Sequence, residues 1–146
     1  MNSVTKLMNF EYGHRILNHP GKCKRLHGHS GRVEFTLGAA VSRETGMVID
    51  FGYINDVIGD WIKKVLDHKT LLQVGDPLLE SLDPEHVVIT KYPPTAETIS
   101  EIIRDQGVKE LKPYYETITN DESFIEVKMW ETEDSYATCS CSLTEE

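Results

Sequence analysis

The sequence predicts an α+β fold: a four-stranded antiparallel sheet with two helices packed on one face, in the order β-β-α-α-β-β. Three observations predict it. Apolar and polar residues alternate near both ends of the chain, a long apolar stripe with helical spacing lies in the middle, and a second helical stripe follows it. The 146 residues suit one domain, residues 1–146.

The first two strands are predicted from period-two alternation. Residues 6–14 alternate, and a polar loop around 18–24 separates them from a second alternating strand over about 26–41. Successive side chains of a strand point to opposite faces, so alternate residues share a face. In the first strand one face therefore carries Met8, Phe10, Tyr12 and His14.

Two helices are predicted from capping residues and apolar spacing. Asp50 caps a helix that runs to about Leu66, with apolar residues at the i, i+3, i+4 spacing of one buried stripe. Thr95 caps a second helix through about Asp105, and Gly107 is a suitable stop.

The remaining segments complete the predicted order. Residues 70–94 contain several proline breaks and are predicted to be irregular, whereas 124–131 and 136–143 alternate as strands. Residues 115–119 suit a further short strand or part of a long hairpin. Such a sheet has exposed edges and one uncovered face, which predicts a homo-oligomer.

Charge and composition narrow the class of partner. The 15 basic and 24 acidic residues give a net charge of −9, which argues against nonspecific binding to nucleic acid or anionic membrane. No apolar run approaches the ~20 residues of a membrane span, and the N-terminus lacks a signal-peptide core. Three cysteines form no disulfide framework, so a reduced cytoplasmic chain is expected.

Three histidines form the densest candidate for chemistry. His27 and His29 flank Gly28, and residues i and i+2 of a strand project to the same side about 6–7 Å apart. Two imidazoles so placed can converge on one metal ion. His14, at the end of the neighbouring strand, supplies the third ligand that a catalytic zinc site needs, while the fourth position stays open.

Cys23 precedes the histidine pair and has two interpretations. As a fourth ligand it would close the metal site and make it structural, whereas on a flexible loop it could act as a catalytic residue over the metal. Nearby cations favour the thiolate. The same cations could also attract a phosphorylated substrate. The basic residues near Cys23 are Lys22, Lys24, Arg25 and Arg32.

Two further elements could take part in a reaction. Asp67 could orient the adjacent His68 for proton transfer, although a histidine just past a helix can also interact with the last carbonyls. Glu131, at the end of a strand, could accept two hydrogen bonds from an amidine-like edge such as that of a pterin, or could simply be solvated. Glu97 lies in the first turn of the second helix, where a carboxylate is expected to interact favourably with the helix dipole.

Together these residues resemble the 6-pyruvoyltetrahydropterin synthase superfamily. The resemblance covers residues 10–132, in the family's order, and implies a tunnelling fold whose trimers close into barrels and stack as a hexamer. The motifs that carry it are Phe10-Glu11-Tyr12-Gly13-His14-Arg15, Cys23-Lys24-Arg25-Leu26-His27-Gly28-His29, Leu66-Asp67-His68, Pro94-Thr95-Ala96-Glu97 and Trp130-Glu131-Thr132.

The resemblance also implies a role for each candidate. Three imidazoles would bind Zn²⁺, a cysteine would be the general base, and an acid–imidazole pair from a neighbouring subunit would assist it. A glutamate would anchor the pterin ring in a pocket that the second helix helps to line. The zinc ligands would be His14, His27 and His29, the base Cys23, the pair Asp67 and His68, and the pocket residues Glu131, Thr95 and Glu97.

The spacing of Cys23 from the histidine pair resembles the branch that forms 6-carboxytetrahydropterin from 7,8-dihydroneopterin triphosphate in the queuosine pathway. Residues 73–92 and 114–123 depart from the compact pattern of that branch as insertions. The alternatives are a 6-pyruvoyltetrahydropterin synthase, a zinc hydrolase or hydratase, and a non-catalytic pterin- or zinc-binding module.

Overall fold

The computed structural model describes residues 1–115 and 122–143. A six-stranded mixed sheet forms one layer, with the strand order β4-β3-β1-β2-β5-β6. The four neighbouring strands β1, β2, β5 and β6 pair in antiparallel fashion. The strands are β1 (Asn2–His14), β2 (His27–Ala39), β3 (Lys69–Gln73), β4 (Val87–Thr90), β5 (Phe124–Trp130) and β6 (Tyr136–Ser142).

Two long helical segments cover one face of this sheet. The first, α1, consists of an α-helical turn (Phe51–Ile54), a π-helical turn (Asn55–Gly59) and an α-helical end (Asp60–Val65). The Asp50 side chain accepts a hydrogen bond from Gly52 N–H, as its predicted capping role requires. The second, α2 (Ala96–Tyr115), packs on β5 and β6. The predicted α+β arrangement with both helices on one face is confirmed.

The predicted strand count and the all-antiparallel pairing are wrong. The segment expected to be irregular contributes β3 and β4, and both β1–β3 and β3–β4 pair in parallel. The proline breaks fall between these short strands, in 3-10 turns at Pro77–Ser81 and Pro84–His86. Prolines that end one element therefore did not exclude a strand on either side of them.

The second helix is longer than predicted because Gly107 does not stop it. A Cβ at this position would lie 2.6 Å from atoms of the Phe35 ring. The missing side chain lets α2 approach the sheet closely, so this glycine serves helix–sheet packing rather than a helix end. Tyr115 is the last helical residue, and the rest of the predicted 115–119 strand lies outside the described residues.

The hydrophobic core lies between the helices and the sheet. Phe10, Phe35 and Ile125 from adjacent strands are buried there. The opposite face of the sheet has no helix against it among the described residues, and its side chains alternate as exposed or half-buried. No helix in the described ranges has the length and apolar character to cross a membrane.

Candidate functional site: a three-histidine centre

The three predicted histidines meet at the end of the core where β1 and β2 finish their pairing. His14 lies directly opposite His27 in the antiparallel register, and His29 is two residues further along β2 on the same face. One ring nitrogen from each lies within 4.8 Å of the others. The strand register therefore brings His14 beside a histidine pair that lies 13 and 15 positions later in the sequence, and together they form one cluster that could hold a metal ion.

Backbone carbonyls fix the proton positions of two of these rings. His14 Nδ1 lies 2.7 Å from the Pro94 carbonyl oxygen, and His27 Nδ1 lies 2.6 Å from the Arg25 carbonyl oxygen. Because a carbonyl only accepts hydrogen bonds, each Nδ1 carries the proton, an assignment made from the network. In a neutral ring, Nε2 is then an acceptor with a free lone pair.

These lone pairs face one another. The Nε2 atoms of His14 and His27 are 3.1 Å apart, and the Glu131 Oε1 atom lies 3.3 Å from His14 Nε2. His29 Nε2 is buried without a hydrogen-bond partner among residues 1–115 and 122–143, and it lies 3.5 Å from the same carboxylate oxygen. Acceptors that converge in this way repel unless a cation lies between them.

The donor set fits zinc. Two nitrogens bound to one tetrahedral zinc at ~2.0–2.1 Å would lie about 3.3 Å apart, close to the observed separation of His14 and His27 Nε2. The Nδ1–H···O=C hydrogen bonds of both rings are the outer contacts that orient metal-binding imidazoles. Three imidazoles would leave a fourth position open for water or substrate.

Burial keeps two of the imidazoles available as neutral ligands. Desolvation is the largest influence on the His14 pKa and lowers it, although the Pro94 carbonyl and the Glu131 charge act in the opposite direction. Desolvation likewise lowers the pKa of His29 against the opposing charge of Glu131. A lower pKa leaves these rings unprotonated at neutral pH, as metal binding requires.

Cys23 lies in a cavity of about 250 Å³ that His14 and Glu131 also line. It is half-buried in a short 3-10 turn, Lys22–Lys24, which a hydrogen bond from Ile16 N–H to the Cys23 carbonyl ties to the end of β1. Among the described residues, the cluster of mutually close ligand atoms contains the three histidines and not this thiol. That arrangement favours a cysteine beside the metal position over a fourth ligand.

The predicted pocket residues of α2 border the same cavity. Thr95 Oγ1 accepts a hydrogen bond from Thr98 N–H at 3.3 Å, which confirms Thr95 as the helix cap. Glu97, in the first turn, lines the cavity as well. His19, for which no sequence pattern indicates a role, also lines this cavity, and its Nδ1 accepts a hydrogen bond from Gly21 N–H. The position of His19 in the cavity depends on the loop conformation, which the sequence pattern does not indicate.

Asp67 and His68 form the predicted pair. Asp67 Oδ2 lies 2.9 Å from His68 Nδ1, while its Oδ1 accepts the Glu11 N–H at 2.8 Å. Partial burial is the largest influence on the Asp67 pKa and raises it, but these hydrogen bonds and the Lys63 charge together lower it. The carboxylate therefore stays ionised and orients the imidazole.

His68 is held in an unusual backbone conformation. Its φ of 58° is the only positive value at a non-glycine residue in the described ranges, and its N–H donates to the Glu11 carbonyl. The side chain is 77% exposed. Such conformations cluster at functional sites because the surrounding structure must offset their cost.

A single chain does not bring this pair to Cys23. His68 lines a second cavity, together with Glu11, Gly28 and Ser30 at the edge of the uncovered sheet face, whereas Cys23 lines the first. The histidine cluster borders both cavities, with His14 in the first and His27 and His29 in the second. An active site that used both groups would combine the two cavities, within one chain or across two copies of it.

Comparison with known proteins identifies the family. A family model described as 6-pyruvoyl tetrahydropterin synthase matches residues 3–141. The chain belongs to this family. A 6-carboxy-5,6,7,8-tetrahydropterin synthase from Rickettsia bellii is 37% identical over 110 residues, which cover 73% of this chain and 80% of the relative. One of the same name from Aquifex aeolicus is 27% identical over 92% of this chain and 94% of its own length.

Solved structures agree with this assignment at the level of the fold. A 6-pyruvoyl tetrahydropterin synthase from Plasmodium falciparum superposes with a TM-score of 0.80 at 20% identity, over 97% of this chain and 98% of its own. An uncharacterized protein from Wolinella succinogenes gives 0.78 at 23% identity, over 94% and 97%. The predicted tunnelling fold is confirmed, and the family supports a lyase of the tetrahydropterin synthase type.

Proposed function

We propose that the protein is a zinc-dependent lyase that converts 7,8-dihydroneopterin triphosphate to 6-carboxytetrahydropterin, with uptake of water and release of triphosphate and acetaldehyde. The single observation that carries the metal dependence is the convergence of three imidazole nitrogens, in a cluster where two of the rings donate their Nδ1 protons to backbone carbonyls. The product assignment is supported by relatives named 6-carboxy-5,6,7,8-tetrahydropterin synthase. We place the reaction in the cytoplasm, in queuosine biosynthesis.

His14, His27 and His29 would hold the zinc ion. When bound, zinc supplies Lewis-acid stabilisation of negative charge that develops on the oxygens of the substrate side chain. The buried His14 ring gives the site a rigid wall, because Pro94 fixes its orientation. This end of the core would thus bind the reacting part of the substrate.

Cys23 would remove a carbon-bound proton from the substrate side chain. Its position in the cavity of His14 and Glu131 supports this role, since the thiol borders the metal position without joining the ligand cluster. Asp67 would hold the His68 imidazole with its proton on Nδ1, leaving Nε2 to exchange protons with substrate or solvent.

Glu131 would recognise the pterin ring. A carboxylate accepts two parallel hydrogen bonds from the amidine-like edge of a pterin, and this one lies at the rim of β5 beside the histidines. Thr95 and Glu97 border the same cavity and would line the ring pocket. The distance from this pocket to the metal position would then determine which carbons of the substrate's side chain reach the zinc.

A homo-oligomer would complete the site, and we propose a hexamer of two trimers. Separation of Cys23 and His68 into different cavities supports a site shared between subunits. The sheet also ends in β4 and β6, each with one edge unpaired by any described residue of the chain. Unpaired edges are commonly covered by subunit contacts.

The test is to identify the product by mass spectrometry after incubating the zinc-loaded protein with 7,8-dihydroneopterin triphosphate. We expect 6-carboxytetrahydropterin together with acetaldehyde. A 6-pyruvoyl product would retain the lyase class and the zinc ligands but contradict the carboxy-forming assignment. No turnover by zinc-loaded protein would contradict the substrate assignment altogether.

A further inference from the structure

Tyr12 is a buried tyrosine whose hydroxyl has no hydrogen-bond partner in the described part of the chain. The residue is 4% exposed and lies on the core face of β1, two positions before His14. A buried hydroxyl without a partner is costly, and natural cores rarely keep one. This orphaned donor beside the candidate metal centre therefore calls for an acceptor.

The path of the Tyr12 ring shows which acceptor is near. A Cβ at Gly31 on β2 would lie 3.0 Å from Tyr12 Cε1 and 2.8 Å from Met129 Cε on β5. The ring thus crosses β2 through the space left by this glycine and points toward β5. In the antiparallel register of β2 and β5, Arg32 pairs with Trp130. Glu131, the residue after Trp130, therefore lies beside Gly31, the residue before Arg32.

Two further observations agree with this placement. The Tyr12 ring packs edge-on against His14, with centroids 5.2 Å apart, and lies 5.7 Å from His29. The hydroxyl is therefore a buried donor on the same side of the sheet as the Glu131 carboxylate.

A bound cation would change what the Glu131 carboxylate faces. In this structure its Oε1 atom faces the Nε2 atoms of His14 and His29. A cation held by the histidines would occupy those lone pairs, and the Nδ1 proton of His14 is already donated to Pro94. The His14 ring would then have no N–H left for the carboxylate, whereas the Tyr12 hydroxyl on the same side is a donor without a partner in the described part of the chain.

We propose that Tyr12 is a positioning residue for Glu131, whose carboxylate accepts a hydrogen bond from the Tyr12 hydroxyl when a metal cation occupies the three histidines. The hydroxyl uses one acceptor position and leaves the others for an amidine-like edge of the substrate. That consequence for the substrate rests on the proposed function, but the metal-linked hydrogen bond itself does not.

The experiment is a double-mutant cycle read out as zinc affinity, measured by competition with a chelating dye. Tyr12→Phe keeps the ring and removes only the hydroxyl, and Glu131→Ala removes the acceptor. We expect Tyr12→Phe to weaken zinc binding about tenfold in the parent, since a hydrogen bond to a charged group is lost. In the Glu131→Ala background the same change should alter zinc affinity by less than about twofold.

Tyr53→Phe is the matched control, because its ring stacks on Tyr114 and it lines neither cavity of the site. Equal weakening by Tyr12→Phe in both backgrounds would show that the hydroxyl acts independently of Glu131, and unchanged affinity would show that no such hydrogen bond forms. Either result overturns the proposal while leaving the proposed lyase intact. A parent protein that binds no zinc would overturn both.

Discussion

The Nε2 atoms of His14 and His27 lie 3.1 Å apart, while the Nδ1 atom of each ring donates its proton to a backbone carbonyl. Two lone pairs held this close repel unless a cation lies between them, so the antiparallel pairing of β1 and β2 brings together a group that could hold a metal ion. Preorganisation of this kind reduces the cost of binding. In the proposed function, the reaction depends on a metal ion bound by these histidines.

Replacing Cys23 should separate metal binding from catalysis. We expect Cys23→Ala to bind zinc as the parent does, because the thiol lies outside the ligand cluster among the described residues. Turnover should fall by about 10²–10⁴-fold, the usual contribution of a general base. Metal content and steady-state rates measure the two effects. Cys141→Ala, a half-buried thiol on β6, is the control that should retain turnover.

An intact rate in Cys23→Ala would contradict the base assignment. Loss of zinc together with turnover would instead show that the thiol is a ligand.

Subunit sharing predicts complementation between two inactive variants. Cys23 and His68 line different cavities of one chain, so a shared site would combine Cys23 of one subunit with His68 of another. Cys23→Ala and His68→Ala should each be inactive alone. Co-expressed in equal amounts with different tags, they should recover about a quarter of parental activity, because random assembly pairs two intact halves that often.

Mixed oligomers with no more activity than the separate variants would show that the two residues do not act in one shared site.

Removal of the Asp76 charge should lower stability in a pH-dependent way. Hydrogen bonds from Arg15 lower the pKa of this buried carboxyl most, and burial opposes them. Since the folded pKa lies below the unfolded value of about 3.9, the stabilisation is complete above that value and is lost as pH falls through the folded pKa. Asp76→Asn should therefore cost about 3 kcal/mol near neutral pH and progressively less in acid.

Chemical denaturation at several pH values measures this difference. Asp83→Asn, at the exposed cap of the Pro84–His86 turn, is the control and should leave stability nearly unchanged, because asparagine caps as well as aspartate. A loss of stability in Asp76→Asn that is the same at every pH would contradict the role given to its charge.

Sequence patterns predicted the parts of the fold that have strong periodicity. The alternation in 6–14 and 124–131 and the apolar stripe after Asp50 correspond to β1, β5 and α1. The two short parallel strands were missed, because four or five residues carry little periodic signal and their pairing is set by distant residues of β1. Gly107 was misread because its reason is the Phe35 ring on another element.

The candidate site was predictable where motifs place chemistry on a strand. Spacing alone indicated that His27 and His29 share a face, and the structure brings His14 opposite His27. What spacing could not show is tertiary: the position of His19 in the cavity, and the space at Gly31 that directs Tyr12 toward β5. Both depend on loop conformation or strand order.

The most direct test of the central claim is to measure the rate of 7,8-dihydroneopterin triphosphate turnover as a function of the amount of bound zinc, in the parent and in His27→Ala. Chelator-treated parent should lose activity and regain it in proportion to zinc added back, since the three imidazoles are the proposed ligands. His27→Ala should lose zinc and turnover together, whereas His86→Ala, an exposed histidine near β4, should keep both. Turnover that persists in zinc-free parent, or in His27→Ala, would contradict the account.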